Sequence, residues 1–223
     1  MKPVVLITGS TSGIGKAIAQ RLYREGYLVA LHSRSSVAAG QALSEEMPGC
    51  SYFQADLGDE SSPARLVDEV IDQFGRIDVL VNNAGITRMI DHRDLPAAST
   101  NVWREQYDIN VIAPWLLITA AEPYLRRAGK NGKSGCIVNI STHAATRPKG
   151  ASIPYACSKA ALNHMTLLLA RSLAPDIRVN AVSPGLVDTP MSADWHAARQ
   201  LWATQSPMKR EAQPEGIAQI VYM

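Results

Sequence analysis

The chain has 223 residues, 46% of them hydrophobic, and a formal charge of +2. That length suits a single domain over residues 1–223 with a sizeable core, and scattered Lys and Arg without a basic stripe argue against a nucleic-acid partner. Cys50, Cys136 and Cys157 are odd in number and far apart, so no disulfide framework and no metal site are expected, and a reducing, cytoplasmic setting is.

Val4-Val5-Leu6-Ile7 is too short an apolar run for a signal peptide or a membrane span, and no membrane association is expected. Its β-branched composition reads as a strand buried on both faces. Thr8-Gly9-Ser10-Thr11-Ser12-Gly13-Ile14-Gly15 follows, then a helical pattern from Ile14 through Leu22 that Gly26 closes. Strand, glycine-rich turn and helix form a phosphate-binding unit. Glycines let the backbone approach a pyrophosphate, and the helix N-terminus offers free N–H groups and the positive end of its dipole. Alone the turn is weak evidence, because a plain tight turn has the same composition. Leu28 to His32 reads as the second strand, with His32 structural. An acidic residue at its end would bind a ribose 2′-hydroxyl and favour NAD. Ser33-Arg34 stands there instead; an arginine pairs with a 2′-phosphate, and the serine leaves room for it. NADP is therefore expected over NAD.

Ala38 to Met47 reads as a helix and Ser51 to Gln54 as the third strand. Asp56-Leu57 follows, placed to meet an adenine or to cap the next turn. Ser62 reads as an N-cap with Pro63 at the first helical position, and Gly75 ends that helix. Asp78 to Val81 is the fourth strand, and Asn82-Asn83-Ala84-Gly85 borders a nucleotide or makes a turn. The polar loop Ile86 to Thr100 is long enough to border a substrate entrance. Val102 to Arg127 reads as one long helix, kinked near Asn110 by Pro114. A surface turn is expected at 129–135. Cys136 to Ile140 is the fifth strand, ending at Ser141-Thr142. A helix then runs from Tyr155 to about Leu173. In it Tyr155 and Lys159 share a face. A free phenol has a pKa near ~10, and an ammonium beside it favours the phenolate, so the pair is a plausible acid–base device. A solvated pair has the same spacing. Arg178 to Val182 is the sixth strand. Residues 189–213, with Met191, Trp195, Leu201 and Trp202, read as a substrate lid, and Pro214 opens a final helix.

Thr8-Gly9-x-x-x-Gly13-Ile14-Gly15, Asp56-Leu57, Asn82-Asn83-Ala84-Gly85 and Tyr155-x-x-x-Lys159, in this order, resemble the short-chain dehydrogenase/reductase family, in particular its 3-oxoacyl-carrier-protein-reductase-like members. The resemblance spans nearly the whole chain. It implies a doubly wound, mostly parallel α/β sheet of Rossmann type, and an NADP-dependent oxidoreductase acting on a small-molecule carbonyl or alcohol. It implies Asn110, Tyr155 and Lys159 as catalytic, with Asn110 holding a relay water. The third member, usually serine, falls on Thr142, with Ser141 as the alternative. Cofactor contacts are implied for Gly9, Ser10, Thr11, Ser12, Gly13, Ile14, Gly15, Ser33, Arg34, Asp56, Leu57, Asn83, Ala84, Gly85, Tyr155 and Lys159. Pro184, Gly185, Val187 and Thr189 are implied over the nicotinamide. The resemblance further implies a homodimer or homotetramer paired through the Tyr155 helix. A last strand usual in the family is missing from the pattern, which leaves the sixth strand nearer an edge. Two rival readings follow: a non-catalytic NADP-binding sensor, and an epimerase or dehydratase on the same fold.

Overall fold

The structure, a computed structural model, describes residues 2–129 and 134–223; most of the turn expected at 129–135 lies outside the described residues. Six strands form one sheet in the order β3-β2-β1-β4-β5-β6. They are β1 (Val4–Ile7), β2 (Leu28–Ser33), β3 (Ser51–Gln54), β4 (Val79–Asn82), β5 (Gly135–Ile140) and β6 (Ile177–Val182). Every pairing is parallel, with Val5 opposite both Val29 and Val79. The helices are α1 (Gly13–Arg24), α2 (Val37–Glu45), α3 (Ser62–Phe74), α4 (Thr100–Tyr107), α5 (Ala113–Gly129), α6 (Ile153–Leu173), α7 (His196–Gln205) and α8 (Pro214–Tyr222).

Alternation along the strands explains why the sheet is covered on both faces. Leu6, Ala30, Leu80 and Ile137 point one way, into a core with Val67 and Val70 of α3, Leu117 and Ala121 of α5, and Leu169 of α6. Val5, Ile7, Val29, Leu31, Val81 and Val138 point the other way, against Ile18 and Leu22 of α1, Leu43 of α2 and Ala218 of α8. Neighbouring residues bury opposite faces, so the strands read as continuous apolar runs. The strand order reverses between β1 and β4, and at such a switch point a crevice opens beyond the carboxyl ends of the strands.

Several local expectations shift. The sheet is wholly parallel. The single helix expected over 102–127 is α4, a π-helical segment at Asp108–Ile112 and α5; the wide turn, rather than Pro114 alone, breaks the i→i+4 ladder. Ser61, not Ser62, is the α3 N-cap, and its side chain makes no cap bond. Asp59 does that work by accepting from Ser61 N–H and from the hydroxyls of Ser61 and Ser62. Helix α6 begins at Ile153, two residues before Tyr155, because Ser152 caps it by accepting from Tyr155 N–H at 3.3 Å. Among the described residues no helix is long and apolar enough to cross a membrane, and no group of His, Cys, Asp or Glu is arranged to hold a metal ion.

Candidate active site

The glycine turn fills the crevice between β1 and α1. Gly9 sits at φ 64°, and a methyl added at Gly15 would lie 2.2 Å from the Gly9 carbonyl oxygen. Only glycine allows both the left-handed backbone and that close helix–strand approach. Side chains from β2, from just beyond β4 and from the turn itself pin it. Asn83 Nδ2 donates to the carbonyls of Thr8 and Gly9, and Thr8 Oγ1 accepts from the N–H groups of Asn83 and Ala84. His32 Nδ1 accepts from Gly9 N–H. At the start of α1 the Ser12 N-cap makes no side-chain cap bond, and no acidic residue stands in the first turn. The first N–H groups are thus left for a ligand, and nothing there repels an anion. The residues fit a pyrophosphate.

At the end of β2 the arrangement is partly as expected. Arg34 is exposed. The Ser33 hydroxyl is not free for a phosphate: it is buried, 2.8 Å from the Tyr52 hydroxyl, and accepts from Ser36 N–H. Asp56 caps its own turn by accepting from Gly58 N–H at 2.9 Å, and Leu57 is buried in the core.

The polar groups meet beyond β4 and β5. Lys159, 4% exposed, donates from Nζ to the Ile140 carbonyl at 2.8 Å. Asn110, fully buried on the π-helical segment, donates from Nδ2 to the Ile86 carbonyl and to Ser158 Oγ, and accepts from Ile86 N–H, each at 3.0 Å. Both heads border Gly85: a methyl added there would lie 3.1 Å from Asn110 Oδ1 and 3.3 Å from Lys159 Nζ. The two hydroxyls after β5 diverge as strand alternation requires. Ser141 is buried with Oγ turned to the Lys159 carbonyl, 3.4 Å away. Thr142 faces the Tyr155 phenol and also accepts from Ala144 N–H. The structure therefore brings Thr142, and not Ser141, to Tyr155.

Burial raises the Tyr155 phenol above its ordinary value, and the Thr142 hydroxyl pulls it partly back. Burial lowers the Lys159 ammonium to about 8. The ammonium was expected to lower the phenol; in the protein alone desolvation dominates both groups, and Lys159 spends its proton on a main-chain carbonyl.

An apolar cleft of about 330 Å³ opens beside Gly85, lined by Ile86, Thr87, Met89, Met191 and Trp195. Its far wall belongs to the 189–213 segment. That segment leaves and returns at one point, because Val187 bridges Ala212 and main-chain bonds join Asp188 and Leu186 to Ala212. Val187 O accepts from Ser192 Oγ, and Thr189 lies against the turn, with its Cγ2 3.2 Å from a methyl placed on Gly13. Trp202 packs against Gly185 and edge-on to His143, ring centroids 6.2 Å apart. Leu201 is exposed. Reasoning from sequence missed Ser158: it accepts from Asn110 and donates to the Tyr155 carbonyl. Its place one residue before Lys159 was the available signal.

The family model described as "Enoyl-(Acyl carrier protein) reductase" matches residues 9–223. The chain is 46% identical over 222 residues to "Granaticin polyketide synthase putative ketoacyl reductase 2" of Streptomyces violaceoruber, covering 98% of this chain and 88% of that one. Among solved structures, 3-ketoacyl-(acyl-carrier-protein) reductase from Brucella melitensis, complexed with NADH, superposes with a TM-score of 0.91 at 28% identity over 99% of this chain and 89% of its own. The Pseudomonas aeruginosa RhlG/NADP complex gives 0.88 at 29% identity over 98% and 87%. With this fold, these matches and this site, the chain belongs to the short-chain dehydrogenase/reductase family and is an oxidoreductase acting on CH–OH groups with a dinucleotide, NAD(P).

Proposed function

We propose that this chain is an NADP-dependent ketoreductase that reduces the ketone of a 3-oxoacyl or similar apolar substrate, with Tyr155 as proton donor. The observation that carries this reading is Gly85, which lines the apolar cleft and has Lys159 Nζ and Asn110 Oδ1 against it, with the Thr142 hydroxyl acting on the Tyr155 phenol four residues before Lys159 on α6. When bound, the nicotinamide supplies the hydride. The chain does the rest. Thr142 and Tyr155 donate hydrogen bonds to the substrate oxygen and hold the carbonyl for attack. As negative charge grows on that oxygen, Tyr155 gives up its proton. Lys159 supplies positive charge under the site and reaches toward the nicotinamide ribose. The Asn110 side chain is fully engaged in protein bonds, so the relay water falls to its main-chain carbonyl, next to the π-helical turn. Met89, Met191 and Trp195 take the apolar part of the substrate, and residues 189–213 act as the lid.

Gly9 to Gly15 hold the pyrophosphate, with Ser10, Thr11 and Ser12 along the turn; Asp56 and Leu57 border the adenine side, and Asn83, Ala84 and Gly85 border the nucleotide. Pro184, Gly185, Val187 and Thr189 flank the nicotinamide. Arg34, exposed at the end of β2, supports NADP through its guanidinium; Ser33 contributes by position rather than by its hydroxyl. Similarity to ketoacyl reductases supports ketoacyl substrates, and the two superposed complexes hold NADH in one case and NADP in the other. The test is a ketone panel assayed with NADPH and NADH in parallel. Tyr155→Phe should remove nearly all turnover while NADPH binding stays at the wild-type value. Activity within a few-fold of wild type would sink the role of Tyr155, and a preference for NADH would overturn the role of Arg34.

A further inference from the structure

His32, next to last in β2, lies against the Gly9 turn and is 2% exposed. Both ring nitrogens are used. Gly9 N–H donates to Nδ1 at 3.1 Å, and Nε2 lies 3.0 Å from the Ala55 carbonyl oxygen. A carbonyl only accepts, so Nε2 must carry the proton and Nδ1 must not. That is the neutral imidazole in one tautomer; an imidazolium has two donors and has nothing with which to accept from Gly9. The His32 main chain is tied to the same turn, since Ser10 N–H donates to its carbonyl and its own N–H donates to Ser10 Oγ. Gly9 is therefore fixed at its carbonyl by Asn83 and at its N–H by His32. Of the side chains that hold the turn, Thr8, Ser10, Asn83 and His32, only the histidine is a titratable group.

We propose that His32 is a positioning residue for the dinucleotide site: its neutral imidazole braces the Gly9 amide between β2 and Ala55, so the phosphate-binding turn keeps its shape only while that ring is unprotonated. Burial pushes the ring below the usual histidine range; the Ala55 carbonyl and, more weakly, Asp56 oppose it. Asp56, from the β3 side, is the charged group acting on the ring, and Gly9, Ser10 and Ala55 present neutral groups. Protonation puts Nδ1–H against Gly9 N–H. One of them must move, and Gly9 is the first residue of the pyrophosphate cradle. The proposal rests on the dinucleotide reading of the turn.

The experiment measures the Kd of NAD+ and of NADP+ by calorimetry from about pH 5 to pH 8, on wild type, His32→Asn and His32→Leu, each checked for folding by circular dichroism. NAD+ lacks the 2′-phosphate, so a pH slope common to both cofactors does not come from that group. Wild type should lose about tenfold in affinity for both on acidification, the scale of one hydrogen bond. His32→Asn, with an amide oxygen near the place of Nδ1, should bind like neutral wild type with that slope removed. His32→Leu should bind weakly at every pH. Equal slopes in wild type and His32→Asn, or wild-type affinity in a folded His32→Leu, would overturn the proposal. Nitrogen-15 NMR of the wild-type ring gives an independent reading: a protonated Nε2 with a bare Nδ1 at neutral pH is expected, and the opposite tautomer overturns the brace even if the cofactor binds. Failure of wild type to bind either dinucleotide at any pH would instead sink the reading of the turn itself.

Discussion

Lys159 is a cation in a place that disfavours charge. Its ordinary pKa of 10.5 falls to about 8 in the folded protein because burial strips its water. Between those values the unfolded chain holds the proton and the folded one does not, so stability from this group rises with pH across that window. Below about 8 both states hold the proton, and the folded protein carries the cost of a buried ammonium. Lys159→Met should therefore be more stable than wild type at pH 7, by about 1–3 kcal/mol after the lost Ile140 bond, with the gain shrinking toward pH 10.5. Urea unfolding at the two pH values reads this, and a less stable variant at pH 7 would show that the Ile140 bond outweighs burial. Tyr155 shifts the other way: burial keeps the phenol protonated at neutral pH. Under the proposed role of Tyr155, alcohol oxidation should climb with pH, while ketone reduction should hold at neutral pH and fall in alkali. Thr142 and Ser141 separate by register. Thr142→Val should lower kcat by roughly a hundredfold, the cost of a lost donor to a developing oxyanion, Thr142→Ser should keep most activity, and Ser141→Ala should stay within a few-fold. Steady-state kinetics on the three variants decides which hydroxyl serves.

At the scale of elements, the segment 189–213 is closed on itself by one arginine. Arg199 of α7 pairs with Asp188 at the outgoing end of the stem and with Glu211 at the returning end, and donates to the Ser192 carbonyl. The excursion that carries Met191 and Trp195 is thereby braced at its middle and at both ends. These ion pairs are partly exposed and each stabilises only modestly. Arg199→Ala should thus leave the fold and cofactor Kd unchanged but raise KM for an apolar ketone by roughly three- to tenfold. A change in cofactor Kd of the same size would show that Arg199 acts on the nicotinamide side instead. The α4–π–α5 element has a different task. The wide turn at Asp108–Ile112 brings Asn110 inward, where it ties Ile86, after β4, to Ser158 on α6. Loop and helix are held at the spacing the cleft needs.

At the scale of the molecule, β1 and β4 are covered on both faces and paired on both edges, whereas β3 and β6 each have an open edge. In β6, Arg178, Asn180 and Ala181 are exposed. Amide exchange should therefore be slowest in β1 and β4 and fastest in the edge strands, and equal protection in β6 would point to a partner covering that edge. Exposed apolar side chains on and beside α5 (Ile112, Trp115) and on α6 (Leu167, Leu168) support the association through the Tyr155 helix that the family resemblance implies. Leu168→Glu should shift light scattering toward the monomer, and an unchanged mass would remove α6 from the interface.

The sequence by itself determined the strands, the glycine turn, the placing of Tyr155 and Lys159 four residues apart on one helix, and the family. These are written in local patterns: β-branched runs, glycine spacing and a helical repeat of four. Gly26 and Gly75 stand at the helix ends where composition put them, with φ 90° and 73°. Only the tertiary structure decided which hydroxyl meets Tyr155, that the Ser33 hydroxyl turns inward, that Ser158 holds Asn110 and that Arg199 ties the ends of segment 189–213. Each depends on the direction of a side chain across elements distant in sequence. Strand alternation forces Ser141 and Thr142 apart, but which one faces Tyr155 is set by β5 packing between β4 and β6. The same holds for His32: its residue type was legible, and its role came from the Gly9 amide that the fold brings to Nδ1.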